Sequence, residues 1–400
     1  MKILFLYRFP LWGNGSGKFL RDMCRALKDK GHKCAIVSPA TRQFEFARQY
    51  RVPKINNQFI PKFVTHPDLA DSKRYCELTA AEIREWYNSF LITTIKAVED
   101  FKPDLIHVHH IAILDWVAYF IKSVYNINFV VTVHGSDLHN MALDKRYYSL
   151  TADALEQANF LLANSKYTKD WLVKMFGGHI KKHKTRIIPG GIFLKDFLED
   201  GHCDIVNQKY NLEKKKAVLF TGRLMKEKGT EYLIRAAKHI RAQIFIIGEG
   251  EERGNLEKLA KDLKLKNVHF VGYLGKDRRS EFHDFYRRAD VFVAPSVWDE
   301  PLGLVILEAM IYKTPVVVTR KGGIPLSVKD GFNGFFVKPR NSTDIVEKVN
   351  RLLRNRKLRQ TMGENAQKIV LQKFDWSKII RKFIRIYKRS LSNNYNGFKK

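Results

Sequence analysis

The chain is short of cysteine, of long apolar runs and of acids, and each shortage excludes something. Its four cysteines (Cys24, Cys34, Cys76 and Cys203) are scattered, with no Cys-x-x-Cys pair. Reduced thiols in the cytoplasm are the simplest reading. No run of eighteen apolar residues exists, so no helix is expected to span a membrane. Met1 to Tyr7 carries one lysine and then only five apolar residues, too few for a signal-peptide core. Against 71 Lys and Arg stand only 41 Asp and Glu, a formal net charge of +30. Such an excess implies an anionic partner or surface: a nucleotide, a phosphorylated acceptor, anionic lipid or nucleic acid.

What is present points to two α/β domains. A chain of 400 residues, 45% hydrophobic, is long enough to bury two cores. Lys2–Tyr7 reads as a buried strand, followed by the Gly-rich stretch Gly13-Asn14-Gly15-Ser16-Gly17-Lys18. Phe19, Leu20, Met23, Cys24 and Leu27 then form a helical stripe, and Cys34 to Val37 a second strand. This is a doubly wound β-α-β opening. It is not a P-loop, which needs Gly at position 12 and Ser or Thr after the lysine, where this chain has Trp12 and Phe19. Nor is it the dinucleotide fingerprint, whose third glycine falls on Lys18. The turn still lets backbone approach a phosphate or sugar closely, or serves only as a flexible connection.

Residues 41–75 read as an irregular basic insert and Glu77 to Asp100 as a long helix. Asp104 to His110 is a strand ending in histidines. Strand alternation would turn His107 and His109 one way and His110 the other, and no nearby Cys or carboxylate completes a zinc set. Histidines that line a cleft or sit satisfied in a core fit better. The strand Asn128 to Val133 ends in His134-Gly135-Ser136-Asp137, again polar groups at a strand's carboxyl end. His134 is a candidate to touch a reacting group. A strand at Phe160 to Ala163, a helix at Ser165 to Phe176 and a short strand and turn at Arg186 to Gly191 complete the first half. Periodicity then fails, and residues 196–216 are expected to be a linker.

The second α/β unit opens with the strand Ala217 to Thr221 and the loop Gly222 to Gly229. Arg223 and Lys228, just before a helix, suit a diphosphate. Further strands are expected at Gln243 to Ile247, Val268 to Leu274, Ala289 to Pro295 and Thr314 to Thr319. Between the last two lies Trp298 to Met310, with Glu300 in a strand-to-helix turn and Glu308 in an apolar helix. Leu302, Gly303, Leu304 and Val305 open that helix with positive dipole. A carboxylate in such a turn can bind sugar or ribose hydroxyls. An idle charge at Glu308, between Leu307 and Ala309, would be unusual.

The pair Glu300 and Glu308, spaced Glu-x7-Glu within EPLGLVILEAM, resembles the signature of the family 4 glycosyltransferases, retaining enzymes of the GT-B fold. The resemblance covers nearly the whole chain and is most specific from Leu219 to Pro339. It implies two doubly wound Rossmann-like domains facing a central cleft: an acceptor-side domain over 1–195, a linker over 196–216 and a nucleotide-sugar domain over 217–375. A helix at 376–391 would pack back on the first domain, and 392–400 would be a disordered tail. By the same resemblance, Arg223 and Lys228 hold the donor diphosphate, Glu308 the ribose and Glu300 the transferred sugar. Tyr273 and Leu274 fall at the nucleobase, and Gly15 and Gly17 match the N-terminal glycine loop. His134 and Asp137 match an HGxD segment facing the sugar on the acceptor side. The pattern is broken at Gly190, where the family usually has Asn, and at the glycine loop, which is not a clean Gly-Gly pair.

No Asp-x-Asp occurs, the motif by which metal-dependent enzymes of the other glycosyltransferase fold grip a diphosphate. The resemblance therefore implies metal-free, retaining transfer of a hexosyl group to a glycan, lipid or lipid-linked acceptor, with no cofactor. Other readings are a GT-B enzyme of different chemistry (epimerase or phosphorylase) or a non-catalytic basic protein on nucleic acid or membrane. No aromatic-basic RNP motif supports nucleic acid. Two segments bear on a membrane surface. Trp376, Ile379, Ile380, Phe383, Ile384 and Tyr387 face away from Lys378, Arg381, Lys382, Arg385, Lys388 and Arg389, so this helix either lies on a membrane or packs on a domain. From Lys166 to Arg186, seven cations surround Trp171, Leu172, Val173, Met175 and Phe176, a segment suited to the anionic inner leaflet.

Overall fold

A computed structural model describes residues 1–53, 72–198 and 204–392. Part of the insert expected at 41–75, Cys203, part of the expected linker and the tail from 393 lie outside these residues. The chain divides into two compact units, Met1–Gly190 with Trp376 onward, and Gly191–Asp375.

The first unit is built on a seven-stranded sheet: β1 (Lys2–Tyr7), β2 (Lys33–Ser38), β3 (Arg48–Arg51), β4 (Leu105–His109), β5 (Phe129–Val133), β6 (Phe160–Ala163) and β7 (Thr185–Ile187). The order is β3-β2-β1-β4-β5-β6-β7 and every pairing is parallel. Chain order reverses between β1 and β4, which makes their carboxyl ends a topological switch point, where such sheets bind ligands. The insert is less irregular than expected, because β3 adds an edge strand to β2. Its sequence, Arg48-Gln49-Tyr50-Arg51, buries only Tyr50, so no apolar pattern announces it.

Both faces of these strands are covered, which is why they read as continuous apolar runs. The helix Trp376–Ser392 supplies part of that cover. Its Trp376, Ile379, Ile380, Phe383, Ile386 and Tyr387 are buried, against the helix Gly15–Lys28 and the strands β4 and β5. Ile386 takes the inward place expected of Ile384. Tyr387 Oη lies 2.7 Å from His107 Nδ1, and Asn128 Nδ2 donates to the Ser390 carbonyl at 2.6 Å. The apolar face of this helix is therefore spent inside the unit, and its six cations face outward.

The second unit holds a six-stranded parallel sheet: β8 (Ala217–Thr221), β9 (Gln243–Ile247), β10 (Val268–Gly272), β11 (Val291–Ala294), β12 (Val316–Thr319) and β13 (Gly334–Val337). The order β10-β9-β8-β11-β12-β13 puts its switch point between β8 and β11. Alternate residues feed two cores. Leu219, Phe245, Phe292, Ala294, Val316 and Val318 enter one; Val218, Phe220, Ile244, Ile246, Val293 and Val317 enter the other.

Residues 196–216 are not a free linker in their described part. Short helices Lys195–Leu198 and Ile205–Tyr210 place Phe197, Val206 and Leu212 in the core of the second unit. Asp284 Oδ2 accepts from Val206 N at 2.8 Å, and Arg288 donates to Asn207 Oδ1 and the Leu212 carbonyl. The three apolar anchors are too far apart in sequence to show a period.

Candidate functional site

In the second unit, the loops after β8 and β11 are laced together at the switch point. The Glu227 carbonyl accepts from Val297 N (2.9 Å) and Trp298 N (3.3 Å). That lacing brings Lys228 to Glu300, and the two form a mostly buried ion pair. Glu300 Oε1 also accepts from Ser296 Oγ (2.8 Å), while the Ser296 carbonyl accepts from Thr319 Oγ1 (2.6 Å). The turn is pinned from β12 as well: Gly323 N donates to the Glu300 carbonyl (2.6 Å) and Gly322 N to Asp299 Oδ1 (2.9 Å). Glu300 is thus held in one place by groups from three loops.

Gly303 turns the chain from this loop into the helix Leu304–Ile311. Its φ of 76° lies in the left-handed region, and a Cβ there would come within 2.8 Å of Ile306 Cδ1. Leu302 is buried in the core, Leu304 and Val305 are half-buried, and Glu308 stands five residues into the helix, only 6% exposed. Its Oε2 accepts from Tyr286 Oη at 3.0 Å, and Tyr286 Oη in turn lies 2.6 Å from Thr221 Oγ1. Burial first, and then the Glu308 charge, push the Tyr286 phenol well above its ordinary value, so it stays a donor. Arg223, half-buried, shares the loop after β8 with Lys228; Tyr273 follows β10 with 71% of its surface exposed, beside buried Leu274.

In the first unit, the Gly-rich stretch is the start of a helix. The helix runs Gly15–Lys28, and Asn14 caps it by accepting from Gly17 N at 2.6 Å. Tyr7 Oη donates to the same Asn14 Oδ1 at 2.7 Å. The two glycines differ. A Cβ on Gly17 would lie 2.4 Å from the Leu11 carbonyl oxygen, so this glycine packs the turn itself, whereas Gly15 is exposed with open space about it.

The histidines behave differently from the alternation expected of a strand. His110 has φ 72°, with Ala112 and Ile113 also positive, so the chain leaves strand geometry one residue early. The rings of His109 and His110 consequently both approach that of His134, at 5.2 and 4.3 Å, and His109 Nδ1 lies 3.0 Å from His134 Nε2. All four imidazoles (His107, His109, His110 and His134) are buried, and desolvation lowers each below its ordinary value, His107 to about 3. The cluster is neutral near pH 7. Among the described residues, no group of three or more His, Cys, Asp or Glu is placed to hold a metal ion.

Asp137, matched above to the HGxD segment, faces inward. It is fully buried, and its carboxylate accepts from the backbone N–H groups of Ile111, His134, Gly135 and Leu138. Burial alone would raise it; His110, His134 and these amides outweigh burial and bring it to about 2. Asp137 is a knot between the loops after β4 and β5. His134, 6% exposed, is held by that knot.

Residues 13–195 match the model of Glycosyltransferase Family 4, and residues 204–369 that of Glycosyl transferases group 1. An uncharacterized glycosyltransferase of Methanocaldococcus jannaschii is 31% identical over 308 residues, covering 72% of this chain and 75% of the relative. The chain belongs to the family 4 glycosyltransferases. Among solved structures, sucrose-phosphate synthase from Thermosynechococcus elongatus is similar with a TM-score of 0.80 at 22% identity, over 98% of this chain and 99% of that one. Anabaena HepE, in complex with UDP and glucose, is similar at 0.76 and 19% identity, over 97% and 99%. Likeness at such identities speaks for the fold, which is GT-B. This glycosyltransferase is accordingly an enzyme of the GT-B type that uses nucleotide sugars.

Sequence reasoning missed several residues that build the glycosyltransferase's geometry at the β8/β11 switch point. Tyr286, Ser296 and Thr319 orient the two glutamates, yet each sits in a segment whose pattern reports only a helix or a strand end. A hydroxyl closing an apolar strand, as at Thr319, is the one signal that could have found any of them.

Proposed function

We propose that the enzyme transfers a hexosyl group, with retention and without a metal, from a nucleotide-diphosphate sugar to a glycan, lipid or lipid-linked acceptor. One observation carries this reading: the Lys228–Glu300 pair at the β8/β11 switch point, with buried Glu308 on the helix behind it. Lys228 and Arg223 take the diphosphate, helped by the backbone at Leu302, Gly303, Leu304 and Val305. Glu308, oriented by Tyr286, takes the ribose hydroxyls. Glu300 takes hydroxyls of the moving sugar, and Tyr273 with Leu274 takes the base. Gly15, beside the turn that Gly17 packs, leaves room for donor or sugar, and His134 offers a neutral imidazole to the reacting sugar or acceptor.

The bond broken joins the anomeric carbon to the diphosphate, and the bond formed joins that carbon to the acceptor oxygen on the same face. The acceptor's proton passes to the departing phosphate oxygen. Arg223 and Lys228 stabilise the charge that develops there.

We place the enzyme in the cytoplasm, at the anionic inner face of a membrane. In support, the helix Lys166–Phe176 exposes Lys166, Tyr167 and Lys174 and half-exposes Lys169 and Trp171. The segment offers less than its sequence promised. Leu172 and Phe176 are buried, Lys184 donates to the Glu156 and Ala158 carbonyls, and Arg186 to those of His183 and Thr185. Among the described residues no helix is long and apolar enough to cross a bilayer, so contact would be peripheral.

Thermal unfolding with UDP, GDP and ADP tests the donor site, since a ligand of the native state raises Tm. One diphosphate should stabilise the wild type and lose its effect in Lys228→Ala. Transfer from the matching donor should then persist in excess EDTA. No stabilisation by any nucleotide would refute the donor assignment, and activity lost to EDTA and restored by a divalent ion would refute the metal-free mechanism.

A further inference from the structure

Inside the first unit, one ring nitrogen of His134 is already taken. Its Nε2 lies 3.0 Å from His109 Nδ1, and the two imidazoles are stacked at 5.2 Å. Neighbours clamp the His134 ring against turning away from that bond. The ring of His110 lies 4.3 Å from it, Phe19 stands edge-on at 5.4 Å, and Asp137 accepts from the His134 backbone N–H. What His134 offers a substrate is therefore left to Nδ1, which bonds nothing among the described residues.

One proton lies between the paired nitrogens, since two N–H groups or two lone pairs would repel at that distance. Its owner decides the chemistry at the far side of His134. A neutral imidazole carries a single N–H, so a proton on one nitrogen leaves the other bare. If His134 Nε2 held the shared proton, Nδ1 would be a bare acceptor, able to serve as a base. His109 would then accept through Nδ1 and carry its own hydrogen on Nε2. That Nε2 is buried and has no hydrogen-bond partner among the described residues. The whole imidazole is buried, packed by the rings of Phe5, Phe19 and Tyr7 at 5.8, 5.8 and 6.4 Å. Buried N–H groups are seldom left without an acceptor; bare acceptors are left so more often. The shared proton therefore belongs to His109 Nδ1.

We propose that His109 is a positioning residue that fixes His134 in its Nδ1–H tautomer. His109 donates Nδ1–H to His134 Nε2, and His134 donates its own Nδ1–H to a hydroxyl oxygen of the reacting sugar or acceptor. His134 is then a hydrogen-bond donor and not the base, in keeping with a proton that passes to the departing phosphate. The inference rests on the reading above that His134 meets the reacting group.

Nitrogen NMR of the full chain, isotope-labelled at histidine and held near pH 7, tests this. Protonated and bare ring nitrogens resonate far apart, and Nε2 couples strongly to both ring protons where Nδ1 couples to one. The signals of His134 and His109 are identified by their absence from His134→Leu and His109→Asn. Both residues should show a protonated Nδ1 and a bare Nε2. A protonated Nε2 on His134 overturns the proposal. His109→Asn, whose amide can still donate, should keep the His134 tautomer and wild-type turnover. His109→Leu, which cannot donate, should give averaged His134 signals and unchanged nucleotide stabilisation. Its kcat should fall by about tenfold, the weight of one hydrogen bond. Equal losses of kcat in the two variants, with the His134 tautomer intact, would make His109 a packing residue only and overturn the proposal. Should His109→Leu not fold, the wild-type spectrum and His109→Asn decide. The underlying reading fails separately: wild-type turnover in His134→Leu would remove His134 from the reaction even with the spectrum as expected.

Discussion

Lys228 and Glu300 stand 72 residues apart in the chain and form one ion pair at the junction of β8 and β11. Neither side chain can be altered without releasing the other. In the proposed mechanism each acts on a different part of the donor, so the pair would make the diphosphate and sugar contacts interdependent.

Lys228→Ala should cost roughly 1.5–3 kcal/mol of transition-state stabilisation, the range for charged hydrogen bonds. Glu300→Gln should lower turnover more than nucleotide affinity. The double variant should fall short of the summed losses by about 0.5–3 kcal/mol, as for residues in direct contact. Steady-state kinetics on the four proteins settles the matter, and strict additivity would mean that the two side chains act independently of each other.

Glu308→Gln should act mainly on nucleotide affinity, because its proposed partner is the ribose. Tyr286→Phe removes the hydroxyl that links Thr221 to Glu308, and should weaken nucleotide binding in the same direction but less. Nucleotide Kd values measured by titration check this. Unchanged affinity in Glu308→Gln would remove it from the donor site.

The buried histidines make acid stability a specific expectation. His107 is pushed from 6.5 to about 3 in the folded protein, so the unfolded chain takes up its proton first as pH falls. Stability should drop from pH 6.5 toward 3, by about 1.4 kcal/mol per pH unit from this histidine. Asp137, depressed from 3.8 to about 2, adds a further loss as pH falls through that lower interval. Denaturant titrations across pH should show a shallower slope for His107→Asn. A slope equal to that of the wild type would mean the histidine titrates alike in both states.

Sedimentation with liposomes tests the membrane face. Anionic vesicles should pellet the enzyme at low salt and neutral ones should not, with release as salt rises. Lys169→Glu with Lys174→Glu should reduce pelleting. Failure to pellet with anionic vesicles at low salt would dissociate the chain's charge from membranes.

Much of the fold is readable in the sequence where an element's own residues decide it. The strands Phe160–Ala163, Ala217–Thr221 and Gln243–Ile247 are apolar runs cut off by turn residues, and their ends coincide with those expected. Edge strand β3 is not readable, because Tyr50 alone faces a core. The site divides in the same way. Glu300 in a turn and Glu308 in a helix follow from local spacing, whereas the Lys228–Glu300 pair follows from the strand order, which no local pattern carries. The burial of Asp137 depends on amides from two separate loops. The turn of His110 toward His134 depends on one positive φ, which a histidine does not advertise.

The bond between His107 and Tyr387 spans 280 residues and sets an order of events during synthesis. The first unit's sheet is translated early, but the helix that covers β4 and β5 leaves the ribosome only after the whole second unit has been made. Until then the nascent chain carries an uncovered apolar face where Trp376, Phe383 and Tyr387 will sit. A chain ended after Asp375 should bind a hydrophobic dye and precipitate, and recover solubility when the helix is supplied as a separate peptide. Residues made after the second unit are thus the ones that allow the first to finish folding.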